Sequence, residues 1–147
     1  MNDVMTEEVL NLVKVAASRT PPVESTQPSE FVRNSDSVSN IMYSNHNEKL
    51  NIEFNVERLA FPGLQTMDPR IVRIPPGRNN ERHRHAHETI FVALEGEGEV
   101  LIGEARVPLK NGGIAFVLRW LFHQTINTGN VTLVLLAITD FGFTSAV

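Results

Sequence analysis

Three histidines are the residues of this chain best suited to chemistry, and they occur in two short segments. His83 and His85 are two positions apart, and His123 lies further along the chain. Neutral imidazole is the commonest protein ligand for zinc, iron, nickel and copper. Residues two apart in a β-strand project from the same face, so a strand here presents His83 and His85 side by side. With His123 as the third ligand, the pattern predicts a site for a divalent transition metal.

The segment that follows the histidine pair predicts a strand buried on both faces. After Thr89 the sequence reads I-F-V-A-L. Phe91 and Ala93 have the same parity as the histidine pair and are expected to line the interior, while the residues between them point outward. A strand that is apolar on both faces is usually covered on both. We therefore expect a homodimer, with a helix packed over the outer face as the alternative.

Short strand signals fill the chain from residue 31 onward. A first signal lies at 31–33, strict alternation of apolar and polar residues follows at 50–56, and another run covers 70–74. Glycine-containing turns at 95–98 and 110–113 separate further short strands. Short strands with regular glycine turns are typical of an all-β barrel or sandwich.

The N-terminal region has a different pattern. From Thr6 the apolar residues recur at i, i+3, i+4 and i+7, which predicts a short α-helix, and Pro21 and Pro22 end it. We therefore divide the chain into residues 1–30, an N-terminal helix with a proline-rich linker, and residues 31–147, a single barrel domain.

Composition excludes several classes of protein. The 147 residues contain no cysteine, which rules out disulfides and thiolate metal ligands. The formal net charge is −4 and there is no basic run, so we expect no nucleic-acid partner. No apolar run approaches the roughly 20 residues that span a bilayer, and the N-terminus lacks the apolar stretch of a signal peptide. We therefore expect a cytoplasmic protein without a membrane partner.

The spacing of the first histidine segment resembles a motif of the cupin superfamily. That motif is usually written G-x5-H-x-H-x3,4-E-x6-G. Gly77, His83, His85, Thr89 and Gly96 reproduce its spacing, with threonine in place of the glutamate.

The second histidine segment resembles the second cupin motif, G-x5-P-x-G-x2-H-x3-N. Its spacing is matched by Gly112, Leu118, Trp120, His123 and Asn127, with leucine for the proline and tryptophan for the glycine. The resemblance implies a double-stranded β-helix, a small jelly-roll barrel whose metal lies inside near its mouth. It implies no particular reaction, because this fold hosts many chemistries and some pure binders.

The missing glutamate leaves the fourth ligand position of the metal open. In the family a glutamate stands where this chain has Thr89, whose hydroxyl is a poor metal donor. Glu88 has the opposite parity to the histidine pair and would turn inward only through a bulge. His87 has the right parity on a regular strand. We therefore name His87 and Glu88 as candidate catalytic acid–base groups and as alternative fourth ligands, besides a site with three histidines alone.

A three-histidine site with open positions is typical of a catalytic metal centre. The donor set is compatible with iron, zinc, nickel or copper, and manganese is a further alternative. The resemblance makes iron the metal we expect. Cupins that lack the glutamate include three-histidine iron dioxygenases, so the resemblance implies a metal-dependent oxygenase acting on a small organic molecule. The alternatives are a redox-neutral zinc or nickel isomerase, lyase or cyclase, and a barrel that binds a small ligand without catalysis.

The remaining polar and aromatic residues near the motifs divide into two groups. Asn127 is expected to hold a turn, and Glu81, Arg82 and Arg84 are interpreted as surface or interface charges. Five residues are predicted to contact a small-molecule substrate, with core packing as the alternative for those that line the interior: Thr89, Phe91, Ala93, Phe116 and Trp120.

Overall fold

The computed structural model describes residues 27–36 and 40–144. The predicted N-terminal helix lies outside these residues. The described chain contains short helical turns at Pro28–Phe31, Glu48–Leu50 and Phe141–Thr144. Its strands are β1 (Ile41–Asn47), β2 (Ile52–Arg58), β3 (Asp68–Ile74), β4 (Thr89–Glu95), β5 (Glu97–Ile102), β6 (Ala105–Lys110), β7 (Ile114–Val117), β8 (His123–Asn127) and β9 (Leu133–Thr139).

The strands form two antiparallel sheets that enclose one core. The larger sheet has the order β1-β2-β3-β9-β4-β7, and the smaller has the order β6-β5-β8. One hydrophobic cluster joins side chains of both sheets, including Val100 and Leu109 from the smaller one. This arrangement confirms the predicted all-β jelly-roll barrel.

Alternation along the strands decides which side chains face the core. Ile52, Phe54 and Val56 of β2 are buried, as their spacing predicts. Leu50 continues that spacing but lies in a helical turn and is exposed. The strand predicted at 31–33 is wrong, because the chain forms a 3₁₀ turn at Pro28–Phe31 with proline in its first positions.

The interior of the barrel has two halves, and β2, β3, β4 and β9 contribute side chains to both. The packed half is filled by aliphatic side chains: Ile52, Ile74, Ala93, Val100, Leu109, Leu133 and Leu135. The cavity half borders an open cavity, and each of β2, β3, β4 and β9 contributes two inward residues to its wall: Phe54, Val56, Arg70, Val72, Thr89, Phe91, Ala137 and Thr139.

The outer face of the larger sheet is partly covered within the described chain. Ile71 and Val134 face outward and are buried, and Leu59 and Phe61 from the loop after β2 pack with them. Ile90 of β4 also faces outward and remains 43% exposed. No helix of the described residues is long and apolar enough to cross a membrane.

Candidate metal centre

His83, His85 and His123 converge at one end of the barrel, as their spacing predicts. One ring nitrogen from each lies within 4.8 Å of the other two, close enough for the three residues to hold one metal ion. His83 and His85 are partly exposed toward the cavity, whereas His123 is buried. Segments about forty residues apart in sequence therefore supply a single donor set.

Backbone hydrogen bonds join the two histidine segments directly. His83 and His123 exchange their backbone hydrogen bonds, at 3.0 Å and 2.9 Å. Beyond His83 the chain leaves strand geometry and bends at residues 86–87 before β4 begins at Thr89. The regular strand expected through the histidine pair is therefore interrupted. Here the loop before β8 supplies the hydrogen-bond donor that a neighbouring strand would otherwise provide: Trp120 N donates to His85 O at 2.8 Å.

Each of the three imidazoles is held in the tautomer that a metal requires. Nδ1 of His83 bonds Glu81 O at 2.8 Å, Nδ1 of His85 bonds His87 O at 2.9 Å, and Nδ1 of His123 bonds Leu121 O at 2.9 Å. A carbonyl oxygen only accepts, so in each neutral ring Nδ1 carries the proton. Nε2 then carries a lone pair that is available to a metal. Histidines that bind metals usually donate their other ring N–H to a carbonyl or carboxylate in this way.

Two of the imidazoles are neutral at ordinary pH. Burial lowers the pKa of His123 to about 4, with repulsion from His83 and His85 adding to the effect. Burial, followed by repulsion from His87, lowers the pKa of His85 to about 4. Nε2 of His123 is buried and has no hydrogen-bond partner among the described residues. A buried polar atom without a partner is costly, and a bound cation would satisfy it. The donor set therefore fits a divalent transition metal.

Thr89 and Phe91 lie where the sequence predicts, on the wall of the cavity beside the histidines. The cavity has a volume of about 290 Å³, and most of its wall is apolar. Thr89 is 2% exposed, and its hydroxyl makes no hydrogen bond within the part of the chain that the structure describes. The position that holds a glutamate in the first motif thus faces the centre but offers only a hydroxyl.

His87 and Glu88 have different surroundings. His87 lines the cavity, and its ring stacks on that of His85 at 3.8 Å between centroids. Burial and the charge of Arg70 lower the pKa of His87. Glu88 is exposed, ion-paired with Arg119 at 3.8 Å, and outside the cavity wall. The structure therefore brings His87, but not Glu88, to the site.

Three of the five predicted substrate contacts lie away from the cavity wall. Ala93 is buried in the packed half, because it lies four residues beyond the cavity end of β4. Phe116 and Trp120 are 49% and 61% exposed on the outside of the barrel. None of these three residues lines the cavity, and their role in substrate binding stays a prediction.

Trp120 has an unusual backbone conformation. Its φ is 61°, in the left-handed region that bulky residues rarely adopt. The second cupin motif places glycine at this position, which is the residue that adopts such a φ without cost. The conformation lets the Trp120 amide reach His85 O, so the turn contributes to the alignment of the two histidine segments.

Glu81 lines the cavity, which corrects its interpretation as a surface charge. It lies two residues before His83 and therefore shares its parity, a signal the sequence contained. Its carboxylate accepts hydrogen bonds from Tyr43 Oη, at 2.8 Å, and from Asn45 Nδ2. The bond to Glu81 raises the pKa of Tyr43 above its ordinary value.

Arg70 is a second cavity residue that the sequence analysis missed. It shares parity on β3 with the buried Val72 and Ile74, which could have placed it inward. Its guanidinium bonds the buried carboxylate of Asp68 through Nε, at 2.8 Å, and through Nη2. Arg58 contacts the same carboxylate at 3.2 Å but does not line the cavity.

Buried asparagines hold the segments that carry the ligands. Asn80 Oδ1 accepts from Thr125 N at 2.7 Å, which fixes the chain before His83 against β8. Asn127, as predicted, holds a turn: its Nδ2 donates to Ile74 O and Val131 O, both at 2.8 Å.

Comparison with known protein sequences finds a family model that matches the barrel. The family described as Cupin domain matches residues 70–139. Glucose-6-phosphate isomerase of Pyrococcus horikoshii is 36% identical over 64 residues, which cover 38% of this chain and 34% of that protein. The chain thus spans about a third of the length of the isomerases it matches.

Solved structures with similar folds include two of named activity. A predicted oxalate decarboxylase from Thermotoga maritima has a TM-score of 0.61 at 23% identity, over 75% of this chain and 98% of that chain. Salicylate 1,2-dioxygenase from Pseudaminobacter salicylatoxidans has a TM-score of 0.58 at 18% identity, over 63% of this chain and 28% of that chain. At these identities the likeness concerns the fold alone.

Proposed function

Because the chain belongs to the cupin superfamily, we propose that it is a metal-dependent dioxygenase that oxidises a small organic molecule at its three-histidine centre. Iron(II) is the metal proposed. Its ligands are His83, His85 and His123, and when bound it supplies Lewis acidity and the redox chemistry that activates dioxygen. Both atoms of dioxygen enter the product, so the substrate itself is the reductant.

One observation carries this proposal. Three imidazole nitrogen donors face a cavity in which the carboxylate position of the motif is occupied by Thr89. A set of three protein ligands leaves positions free for exogenous ligands, whereas structural sites are closed. The similar fold of a salicylate dioxygenase supports the proposal, and so does a cavity of about 290 Å³ beside the donors, which accommodates a small molecule.

The residues around the metal have defined tasks in this scheme. The carbonyls that accept from each Nδ1 orient the three rings and place the proton of each neutral ring on Nδ1, which leaves Nε2 to bind the metal. Phe54, Val72 and Phe91 exclude water from the inner wall. His87 is the histidine of the cavity wall that lies outside the donor set, and we assign it as the group that moves a proton to or from the substrate.

Oxygen uptake tests the proposal directly. Metal-free protein would be loaded anaerobically with iron(II) and mixed with a panel of small aromatic and aliphatic hydroxy acids, followed by air. We expect substrate-dependent oxygen consumption and, with ¹⁸O₂, two labelled atoms in the product. The His83→Ala variant should consume no oxygen above background. A protein that retains iron but consumes no oxygen with any panel member would contradict the dioxygenase assignment.

A redox-neutral isomerase is the second candidate. It is favoured by the 36% identity to a glucose-6-phosphate isomerase, although the match covers 64 residues. The two candidates respond differently to air. Isomerisation of a sugar phosphate by the zinc- or nickel-loaded protein, at the same rate with and without oxygen, would replace the first proposal with the second.

We also propose that the chain forms a homodimer through the edge of the larger sheet. Ile90, Ile114 and Phe116 project outward from the neighbouring strands β4 and β7 and are 43%, 71% and 49% exposed. β7 is one of the two edge strands of the larger sheet, and an exposed apolar edge is a surface on which another chain pairs. Light scattering of the wild type and of Ile114→Glu checks this: the wild type should be dimeric and the variant monomeric.

A further inference from the structure

We propose that Arg70 binds the carboxylate of an apolar organic acid, so that the substrate of this cavity is an anion. The proposal deepens the proposed function, since it concerns the ligand of the same cavity. It rests on the position of Arg70, on the charges around it and on the composition of the rest of the cavity wall.

The position of Arg70 leaves part of its guanidinium available. Nε and Nη2 contact Asp68, while Nη1 takes part in no hydrogen bond with the described residues. The side chain is 18% exposed and lines the cavity together with His85 and His87. A guanidinium that is fixed by one carboxylate and still has a donor free is well placed to bind a second anion.

The charge around Arg70 is not balanced by Asp68. Arg58 contacts the other oxygen of the same carboxylate, so two cations share one anion. Of the acidic side chains, Glu81 is the one that lines the cavity, and it is engaged by Tyr43 and Asn45. An anionic ligand at Arg70 compensates the remaining positive charge in a site sheltered from water, where such a bond is stronger than in bulk solvent.

The rest of the wall indicates what the acid carries besides its carboxylate. Met42, Phe54, Val56, Val72, Phe91 and Ala137 line the cavity and offer no side-chain hydrogen bonds to a sugar. An apolar body, aromatic or aliphatic, is therefore better suited to this wall than a polyhydroxylated one. The shape implied is a small acid whose carboxylate lies at Arg70 and whose apolar part lies along these side chains.

Benzoate and benzamide are suitable probes, because they have nearly the same shape and differ in charge. Their dissociation constants would be measured by NMR titration of zinc-loaded and metal-free protein, so that no turnover is involved. We expect the wild type to bind benzoate more tightly than benzamide. Arg70→Gln should weaken benzoate binding by about tenfold or more and benzamide binding by less than about twofold.

Arg58→Gln is the matched control. Arg58 contacts Asp68 and lies 6.0 Å from the Phe141 ring, as Arg70 does at 5.7 Å, but it is outside the cavity wall. We expect its benzoate affinity to remain within about twofold of the wild type, and Arg70→Lys to recover part of the affinity because it keeps the charge. Zinc content, measured in each variant, should not change.

Several results would overturn the inference. These are unchanged benzoate affinity in Arg70→Gln, an equal loss in Arg58→Gln, or a wild type that does not prefer benzoate over benzamide. Displacement of benzoate by millimolar inorganic phosphate would assign the site to a phosphate instead. The titration measures binding in the absence of turnover, so it tests the role of Arg70 even if the dioxygenase assay fails. In the same way, the oxygen-uptake assay tests the proposed reaction even if Arg70 does not bind benzoate.

Discussion

The packed half and the cavity half of the barrel both use β2, β3, β4 and β9, but the cavity half adds polar side chains to its wall. Away from the cavity, Asn127 bonds two carbonyls and an amide, while Thr125 Oγ1 is buried without a partner among the described residues. In the cavity half, Thr89 Oγ1 and His123 Nε2 are buried without partners in the described chain. Native proteins rarely leave such atoms unpaired, and these two lie on the cavity wall, where a bound metal or ligand would satisfy them.

The largest expected effect separates metal binding from folding. His123→Ala should lower metal affinity by more than about 100-fold, because even partners outside the ligand sphere typically contribute 10–100-fold. Its fold should persist, since the packed half is unchanged. Isothermal titration with zinc and circular dichroism of the same sample check both statements. Metal affinity within tenfold of the wild type would contradict the ligand assignment.

The complementary change lies in the packed half. Leu133 is fully buried there and does not line the cavity. Leu133→Ala should destabilise the protein by about 2–5 kcal/mol through lost contacts and a residual cavity. Metal affinity of the folded protein should stay within a few-fold of the wild type. Urea denaturation and zinc titration measure the two effects, and a large loss of metal affinity would show that the halves are coupled.

Acid should destabilise the metal-free protein through His123. Its pKa is about 4 when folded and about 6.5 when unfolded, so the unfolded chain takes up a proton first as the pH falls. This contribution to stability is therefore complete above pH 6.5 and is lost progressively down to about pH 4, to an extent on the order of 3 kcal/mol. Denaturation of wild type and His123→Asn at a series of pH values checks this, and identical pH dependence of the two proteins would refute it.

The sequence predicts which side chains face the interior, because that depends on the alternation of residues along each strand. The alternation of β2 and the spacing of the three ligands predicted the inward residues and the donor set. Parity alone did not predict where along β4 the cavity ends, and so Ala93 was expected in the site although it lies in the packed half. Arg70 was missed although it shares parity with Val72 and Ile74, because a charged residue is not expected inside a barrel unless a buried partner such as Asp68 is known to lie beside it.

A smaller effect is expected at Thr89. Thr89→Val keeps the shape of the side chain and removes a buried hydroxyl that has no partner in the described chain. The metal-free protein should gain about 1 kcal/mol of stability, because the unsatisfied group no longer loses its hydration on folding. Thermal denaturation after chelation measures the change. A loss of stability would show that the hydroxyl is satisfied in solution.

The smallest effect concerns the turn that joins the two histidine segments. Trp120→Gly should raise the free energy of unfolding by up to about 1 kcal/mol, because the left-handed conformation costs an L-residue more than it costs glycine. The gain is limited because glycine also makes the unfolded chain more flexible. Trp120→Ala is the control, since it retains the Cβ and should gain nothing. If Trp120→Gly is not more stable than Trp120→Ala, backbone strain is not what this position contributes.

The central claim is that the imidazoles of His83, His85 and His123 hold one divalent metal on the wall of the cavity half. Titration of metal-free protein with cobalt(II), followed by its visible absorption and by X-ray absorption of the loaded sample, tests it most directly. We expect one cobalt per chain with three imidazole nitrogens among its ligands. Cobalt that does not bind, or that binds equally well when residues His83, His85 and His123 are all replaced by alanine, would contradict the claim.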